Sequence, residues 1–325
     1  MSGLLEVKNL KKYYETNRGT LHAVDDVSFS VEQGETLGVV GESGCGKSTL
    51  GQTIIHLRKP TEGEIRFRGE DMSNPSKKRL HELRRHMQII FQDPFSSLNP
   101  RMTVKQIIAE PLKIYKISND KAALDKRVAE LMETVGLANR FVNTYPHELD
   151  GGRRQRIGIA RALALEPSFI VCDEPVSALD VSIQAQVLNL MQDLQEQLNL
   201  TYIFITHDLS VVKHISNNII VMYLGVVVEK CSSGELFSNP LHPYTKALLS
   251  AIPHSDIDAV KDRILLKGEL SSPIDPTPGC RFAKRCIYAT EACSVSNPKM
   301  EEVYSGHMAA CHNVREVNTI PHAAV

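Results

Sequence analysis

The sequence predicts an α/β fold followed by a small cysteine-rich extension, and three observations support this. Apolar runs typical of buried strands alternate with amphipathic stretches typical of helices. The segment GESGCGKS, at 41–48, stands between one such strand and one such helix and matches the pattern G-x-x-x-x-G-K-[ST]. Beyond Ser271, three prolines mark a linker into a tail that contains four of the seven cysteines.

The individual elements follow from the spacing of apolar residues. Short apolar runs predict strands at 5–10, 23–31, 36–40, 63–67, 87–91, 169–172 and 201–206. Apolar residues three and four positions apart predict helices over 49–58, 104–137, 153–165 and 184–198. A polar loop is expected at 15–20. The run at 169–172 is apolar throughout, which is typical of a parallel strand covered on both faces.

Length and composition exclude several classes of protein. At 325 residues the chain can form one large α/β domain with a smaller appendage. Its formal charge of −1 argues against a general nucleic-acid binder. The longest apolar run, 219–228, is about half the ~20 residues that a membrane helix needs, and no signal peptide opens the chain. We therefore expect a soluble, cytosolic protein with reduced cysteines.

The glycine-rich segment is expected to bind the phosphates of a nucleoside triphosphate. Its glycines let backbone N–H groups close on the β- and γ-phosphates, and Lys47 neutralises their charge. The Ser48 hydroxyl is then placed to ligate Mg²⁺. The residues expected to contact the nucleotide are Gly41, Glu42, Ser43, Gly44, Cys45, Gly46, Lys47, Ser48 and Thr49.

Polar side chains follow three of the predicted strands, where ligands of α/β sheets bind. Asp173 is expected to hold Mg²⁺ through water, and the adjacent Glu174 to polarise the attacking water. His207 is expected to donate a hydrogen bond to the γ-phosphate or to Glu174, and Gln92 to meet both Mg²⁺ and the attacking water. The alternatives are helix caps for the acidic pair, a structural histidine and a solvated glutamine.

Taken together, these segments resemble the ATP-binding subunit of ABC transporters, whose motifs they match in family order. The matching segments are Walker A (41–48), the Q-loop (Gln92), the signature (149–153), Walker B (Asp173, Glu174), the D-loop (177–180) and the H-loop (His207). The resemblance covers about residues 4–253. It implies a P-loop NTPase core with a mixed sheet, helices on both sides and a helical subdomain at about 95–165. It also implies that Tyr14 stacks on adenine, with Tyr13 as the alternative.

The signature departs from the Leu-Ser-Gly-Gly-Gln that is usual in the family. In the family, its serine and backbone amides contact the γ-phosphate of ATP held by the partner subunit. This chain has Asp150 for the serine and Arg153 for the glutamine, and retains Gly151 and Gly152. A carboxylate facing a triphosphate is repulsive, so Arg153 either offsets that charge or itself reaches the phosphate. We expect the ATP site completed by this signature to be the weaker one.

The C-terminal part resembles the oligopeptide, dipeptide and nickel importer branch of the family. The stretch NPLHPYTKAL, at 239–248, matches the segment that follows the ATPase core there, and an extension covers 254–325. Its cysteines, Cys280, Cys286, Cys293 and Cys311, are separated by five, six and 17 residues, unlike the C-x₂-C pairs of typical zinc sites. The resemblance implies a [4Fe–4S] cluster on these four thiolates. Zinc, with His307 and His312 as replacement ligands, and free thiols remain alternatives.

The resemblance implies an ATPase that energises import of di- and oligopeptides, or of nickel chelates, from the cytoplasmic face of the membrane. The implied partners are a second ATPase subunit (we expect a homologue), two permease subunits and an extracytoplasmic binding protein. A permease is expected to dock at Gln92 and 104–137. Two other functions stay open: an ABC ATPase acting on nucleic acid or ribosomes, and a metal- or redox-sensing ATP-binding module. The balanced charge and complete ATPase motifs favour transport without nucleic-acid binding.

Overall fold

The computed structural model describes residues 3–118, 120–252, 263–266, 268 and 272–319. The strands in these ranges are β1 (Leu5–Thr16), β2 (Gly19–Val31), β3 (Thr36–Val40), β4 (Glu62–Phe67), β5 (Glu70–Asp71), β6 (Met87–Ile90), β7 (Phe169–Asp173), β8 (Thr201–Ile205), β9 (Asn218–Tyr223), β10 (Val226–Ser232), β11 (Glu301–Tyr304) and β12 (His307–Ala309). The helices are α1 (Lys47–Ile54), α2 (Lys77–His86), α3 (Pro94–Ser97), α4 (Val104–Ile114), α5 (Lys121–Thr134), α6 (Gly151–Leu163), α7 (Val181–Leu198), α8 (Leu209–Ile215), α9 (Ser233–Ser238), α10 (Pro243–Ser250), α11 (Ala292–Val295) and α12 (Val314–Thr319). Short 3₁₀ turns occupy Asn139–Phe141, Pro146–Glu148 and Ala283–Arg285.

The chain divides into two compact units. Of the residues that the structure describes, those within 1–30, 36–73 and 206–325 form one, which we call the phosphate-loop unit. Residues 31–35 and 74–205 form the other, which we call the helical unit. The tail of the chain therefore belongs to the same unit as the glycine-rich loop. The predicted boundary between residues 253 and 254 lies outside the described residues.

The phosphate-loop unit contains two sets of hydrogen-bonded strands. One set runs in the order β2-β1-β4-β5, and β1 pairs antiparallel with β4, which pairs antiparallel with β5. The other runs in the order β11-β12-β10-β9-β3. In it β3 is parallel to β9, with Val39 opposite Ile220, and the remaining neighbours are antiparallel. All five residues of β3 are buried, as expected for a strand covered on both faces.

An aromatic cluster packs the tail onto the rest of this unit. Tyr223 ends β9, Tyr244 is the second residue of α10, and Phe282 lies in the tail. The Tyr223 ring meets the Tyr244 ring at a centroid distance of 4.8 Å and the Phe282 ring at 5.2 Å, both edge to face. Each of the three side chains is almost fully buried. Burial of such a side chain contributes roughly 1.5–3 kcal/mol, so this cluster stabilises the packing of Phe282 against β9 and α10.

The helical unit contains a parallel run of strands in the order β8-β7-β6 together with α2–α7. Helix α6 contacts α3, α4, α5 and α7, and is therefore the central helix of this unit. The helix predicted over 104–137 is in fact two helices, α4 and α5. The break has a local cause, because the Asp120 carboxylate accepts hydrogen bonds from the N–H groups of Ala122 and Ala123 and so starts a new helix.

Other elements agree with the sequence-based expectations apart from their ends. The polar loop expected at 15–20 is reduced to a turn at 17–18, because β1 and β2 extend into a hairpin. Helix α6 begins at Gly151 rather than 153, since Asp150 caps it. Helix α1 ends at Ile54, four residues before the predicted end. These shifts place Gly151 and Gly152 in the first turn of α6, and Lys47 and Ser48 in the first turn of α1, rather than in the preceding loops.

Candidate functional site

The glycines of the phosphate loop are required by its tight geometry. Gly41 has a φ of 150° and Gly46 a φ of 106°, which L-residues rarely adopt. A Cβ on Gly41 would lie 2.2 Å from the carbonyl oxygen of Met222, and one on Gly46 would lie 2.0 Å from that of Ala23. The loop can follow this path only with glycine at both positions.

Lys47 lies inside the loop that these glycines form. Its Nζ donates hydrogen bonds to the carbonyl oxygens of Gly41 (2.8 Å) and Glu42 (3.0 Å), and the residue is only 4% exposed. Ser43 and Gly44 are exposed, whereas Ser48 and Thr49 stand in the first turn of α1. A buried ammonium beside exposed loop residues and a helix N-terminus is the arrangement that binds phosphates.

Cys45 is a packing residue of the loop. Burial raises the pKa of its thiol, and its carbonyl oxygen accepts a hydrogen bond of 2.8 Å from the Gly225 N–H. Its Sγ lies 3.9 Å from Nζ of Lys47. A neutral buried thiol has no nucleophilic role here.

His207 belongs to the same unit as the loop. The N–H of the preceding residue, Thr206, donates to the Val39 carbonyl oxygen at 3.1 Å, which joins this segment to the strand that leads into the loop. His207 itself is exposed. Asp208 caps α8 by accepting from the Ser210 N–H, so the turn around His207 is fixed by local hydrogen bonds.

The acidic pair and Gln92 lie together in the helical unit. Asp173 ends β7 and is buried, and Glu174 follows with a φ of 47°. The Gln92 side-chain amide donates to the Glu174 carboxylate at 2.9 Å. A non-glycine residue in the left-handed region costs of order 1 kcal/mol or more, and such strain clusters at functional sites. The sequence predicts these residues, but this contact and the strained backbone at Glu174 are visible only in the structure.

The two unusual signature residues pair with each other. Asp150 caps α6 by accepting from the Arg153 N–H at 2.8 Å, and its second carboxylate oxygen forms an ion pair of 2.7 Å with the Arg153 guanidinium. Arg153 also lies over the Phe141 ring, 4.8 Å from its centroid. A Cβ on Gly152 would lie 2.6 Å from Ile183, so the start of α6 packs closely on α7. Of the two predicted roles for Arg153, the structure shows the one in which it offsets the Asp150 charge.

The aromatic residues near the end of β1 differ in their surroundings. Tyr13 donates its hydroxyl hydrogen to Asp25, and its ring stacks on His22 at a centroid distance of 4.0 Å. Burial, followed by the bond to Asp25, raises the pKa of Tyr13. Tyr14 is half-buried beneath the Lys12 ammonium, which lies 4.6 Å from its ring centroid. Each tyrosine therefore has one ring face covered, and stacking of Tyr14 on adenine stays a prediction.

The four tail cysteines lie near one another without forming a compact set. Cys280 N–H donates to the Cys293 carbonyl oxygen at 2.7 Å. Burial raises the pKa of Cys286 to about 12 and that of Cys311 to about 11, and repulsion from neighbouring tail thiolates adds to both shifts. In the described residues, the side chains whose ligand atoms lie within 4.8 Å of one another are Glu229, Cys231 and His307, and no such set is found among the tail cysteines.

This spacing bears on which metal the cysteines fit. Four thiolates around one zinc ion lie about 3.8 Å apart, because each Zn–S bond is about 2.3 Å. In the described part of the chain no three tail sulfurs lie within 4.8 Å of one another, so the closed arrangement of a zinc site is not formed there. The replacement zinc ligands are engaged elsewhere, since His307 bonds Glu229 and His312 bonds the Ser296 carbonyl oxygen, both at 2.8 Å. Four half-buried to buried thiols of one unit nevertheless remain a suitable donor set for iron.

The structure also bears on membrane insertion. Among the residues described, no helix combines the length and the apolar character that spanning a bilayer requires.

Comparison with known proteins gives a consistent result. The profile of the ABC transporter family matches residues 24–177, and one described as "Oligopeptide/dipeptide transporter, C-terminal region" matches residues 228–293. The oligopeptide transport ATP-binding protein AppF of Bacillus subtilis is 53% identical over 319 residues, covering 95% of this chain and 97% of AppF. The oligopeptide transport ATP-binding protein OppF of the same organism is 60% identical over 265 residues, covering 81% of this chain and 87% of OppF.

Solved structures with the same fold were also found. cbiO1 from Clostridium perfringens, part of the ABC transporter complex cbiONQ, matches with a TM-score of 0.65 at 29% identity, covering 74% of this chain and 92% of cbiO1. A bacterial ABC transporter cassette, solved as a dimer, matches with a TM-score of 0.65 at 31% identity, covering 70% of this chain and 98% of the cassette.

Proposed function

This chain belongs to the ABC transporter family, in its group of oligopeptide and dipeptide transport ATP-binding proteins, and on that premise we propose that it hydrolyses ATP to energise peptide import. It has the cassette fold of ABC ATPases. The observation that best supports hydrolysis is the strained Glu174, whose carboxylate is held by Gln92. A carboxylate held at the end of a buried strand is suited to act as a general base.

The proposed mechanism assigns each residue one task. The backbone N–H groups of 41–46 and Lys47 bind the β- and γ-phosphates, and Tyr14 stacks on adenine. Ser48, Gln92 and Asp173 would hold Mg²⁺, which would supply positive charge to offset that of the phosphates. Glu174 accepts a proton from the attacking water, and the hydroxide oxygen then bonds the γ-phosphorus as the bond to the leaving ADP oxygen breaks. His207 donates a hydrogen bond to the γ-phosphate and holds it in line.

The proposed assembly follows from the family. Residues 4–253 act as the ATPase, with a helical subdomain at about 95–165 that receives the permease near Gln92. A second, homologous ATPase subunit, two permeases and an extracytoplasmic binding protein complete the importer on the cytoplasmic face of the membrane. Di- or oligopeptides are the proposed cargo, with nickel chelates as the alternative. AppF and OppF, the two relatives named for oligopeptide transport, support peptides as the cargo.

The decisive experiment is purification of the tagged chain from its own cells. Two permeases and a second ATPase should co-purify, and ATPase activity in proteoliposomes should rise when the binding protein and a peptide are added. Co-purified RNA or ribosomes without permeases would overturn the proposal.

We further propose that Cys280, Cys286, Cys293 and Cys311 hold a [4Fe–4S] cluster that stabilises residues 254–325. Four half-buried or buried thiols in one extension offer a donor set for iron. Bound iron would reverse the effect of burial on their pKa by favouring the thiolates. Anaerobically purified protein should contain about four irons and four sulfides per chain. Stoichiometric zinc, or no metal at all, would contradict this.

A further inference from the structure

A side chain of the C-terminal extension reaches into the phosphate loop. The two terminal nitrogens of Arg285 donate hydrogen bonds to the two carboxylate oxygens of Glu42, at 2.7 and 3.1 Å. The side chain of Arg285 is 10% exposed and that of Glu42 is 25% exposed. The two residues are 243 positions apart in the chain, and they form a two-point ion pair of the strong, well-oriented kind.

The backbone of Glu42 is held from the same direction. Its N–H donates to the Tyr244 hydroxyl oxygen at 2.8 Å, and Tyr244 is fully buried. The Tyr244 ring packs on Phe282, three residues before Arg285. Arg285 ends the 3₁₀ turn Ala283–Arg285 and directly precedes Cys286. The position of the guanidinium is therefore set by the packing of the cysteine-rich segment.

The charge of Glu42 makes this contact important for nucleotide binding. Glu42 is the second residue of the loop, and its own carbonyl oxygen accepts a hydrogen bond from Lys47. An unpaired carboxylate at this place repels a triphosphate and competes for the Lys47 charge. Paired with Arg285, the same carboxylate contributes little net charge to the site.

We propose that Arg285 is a positioning residue of the nucleotide site: it neutralises Glu42, and through it the cysteine-rich extension sets the affinity of the phosphate loop for ATP. The proposal rests on ATP binding at this loop, as in the proposed function. It adds to that function a contribution from a part of the chain that lies outside the ATPase motifs.

The test is the dissociation constant of a fluorescent ATP analogue, measured with the full-length chain and Mg²⁺. Arg285→Gln should weaken binding about tenfold, because it leaves Glu42 unpaired. Glu42→Gln should bind the analogue about twofold or more tighter than the parent, because the Arg285 charge then lies beside the loop without an opposing carboxylate. The double variant Glu42→Gln/Arg285→Gln should bind within about twofold of Glu42→Gln, since the repelling charge is gone. Lys284→Gln, which removes the neighbouring exposed cation, is the matched control and should bind like the parent.

Steady-state kinetics and a conservative variant separate a role in ATP binding from a role in folding. In the assembled ATPase, Arg285→Gln should raise KM with little change in kcat at saturating ATP, and Arg285→Lys should restore part of the affinity. If Arg285 only stabilises the fold, the double variant will bind no better than Arg285→Gln, and the proposal fails. It also fails if Arg285→Gln binds as tightly as the parent. A parent chain that does not bind ATP would instead overturn the proposed function, and this proposal with it.

Discussion

At the scale of single residues, two side chains of the candidate site are held by specific neighbours that the sequence does not reveal. Glu174 has a left-handed backbone and a carboxylate held by Gln92. Asp150 has its charge paired with Arg153 within one turn of helix. In both cases the residue type is evident from the sequence, whereas its environment decides how it acts. Two predictions follow from these environments.

Glu174→Gln should lower kcat of the assembled ATPase by about 10²–10³-fold, because the amide cannot accept the proton of the attacking water. ATP binding should be kept, since the substitution preserves shape and removes a negative charge. Single-turnover hydrolysis and analogue binding measure the two effects separately. Asp193→Asn, which removes an exposed carboxylate from α7, is the control. Hydrolysis at the parent rate in the Glu174 variant would exclude the proposed general base.

Asp150→Ser should raise ATPase activity of the assembled complex about two- to fivefold, because the repelling carboxylate is lost while Arg153 becomes free to approach the phosphate. Arg153→Gln alone should lower activity, since it leaves Asp150 without its ion pair. The double variant restores the usual family signature. Steady-state ATPase rates of all four proteins form a complete cycle. If the effects of the two substitutions on the ATPase rate are strictly additive, the Asp150–Arg153 ion pair does not influence hydrolysis.

At the scale of elements, a buried carboxylate joins β10, β12 and the start of α10. Glu229 is fully buried and accepts hydrogen bonds from the N–H groups of Leu241 (2.7 Å) and His242 (2.8 Å) and from His307 Nε2 (2.8 Å). His242 caps α10, because its Nδ1 accepts from the Tyr244 N–H at 3.1 Å. The same helix presents Tyr244 to the phosphate loop, so this polar cluster supports the site indirectly.

Protonation of His242 should destabilise the fold as the pH falls. Burial lowers its pKa to about 4, against about 6.5 in the unfolded chain, so the unfolded state binds the proton first. Stability is unaffected above pH 6.5 and declines between pH 6.5 and 4, by roughly 3 kcal/mol in total for this group. Chemical denaturation from pH 7 to pH 4, carried out on the parent and on His242→Asn, measures this change in the free energy of unfolding. The variant retains a capping oxygen, and its free energy of unfolding should fall less steeply with decreasing pH. An equal slope for parent and variant would show that other groups cause the pH dependence.

At the scale of the whole molecule, the candidate residues belong to two compact units. The phosphate loop, His207 and the cysteine-rich tail lie in one, and Gln92, Glu174 and the signature lie in the other. If, as the family implies, a second subunit supplies the signature to each ATP, then one chain alone cannot complete a site.

The isolated chain should therefore hydrolyse ATP slowly, and turnover per chain should rise by roughly a hundredfold in the assembled transporter, because the partner's signature adds donors to the γ-phosphate. Measuring turnover against chain concentration, with and without the permeases, provides the test. Equal turnover for the dilute isolated chain and the complex would contradict a shared site.

Sequence alone identified the phosphate loop, the acidic pair, Gln92 and His207 as candidate site residues, and it predicted the strands from β1 to β8 other than β5, because each depends on local spacing or on a short motif that chemistry constrains. It placed element ends less well, since caps such as Asp120 and Asp150 compete with apolar periodicity over one turn. Only the tertiary structure showed that Arg285 meets Glu42, that His307 meets Glu229 and that Glu174 is strained. Contacts between residues distant in the chain are set by packing of the whole unit, which no local pattern of residues encodes.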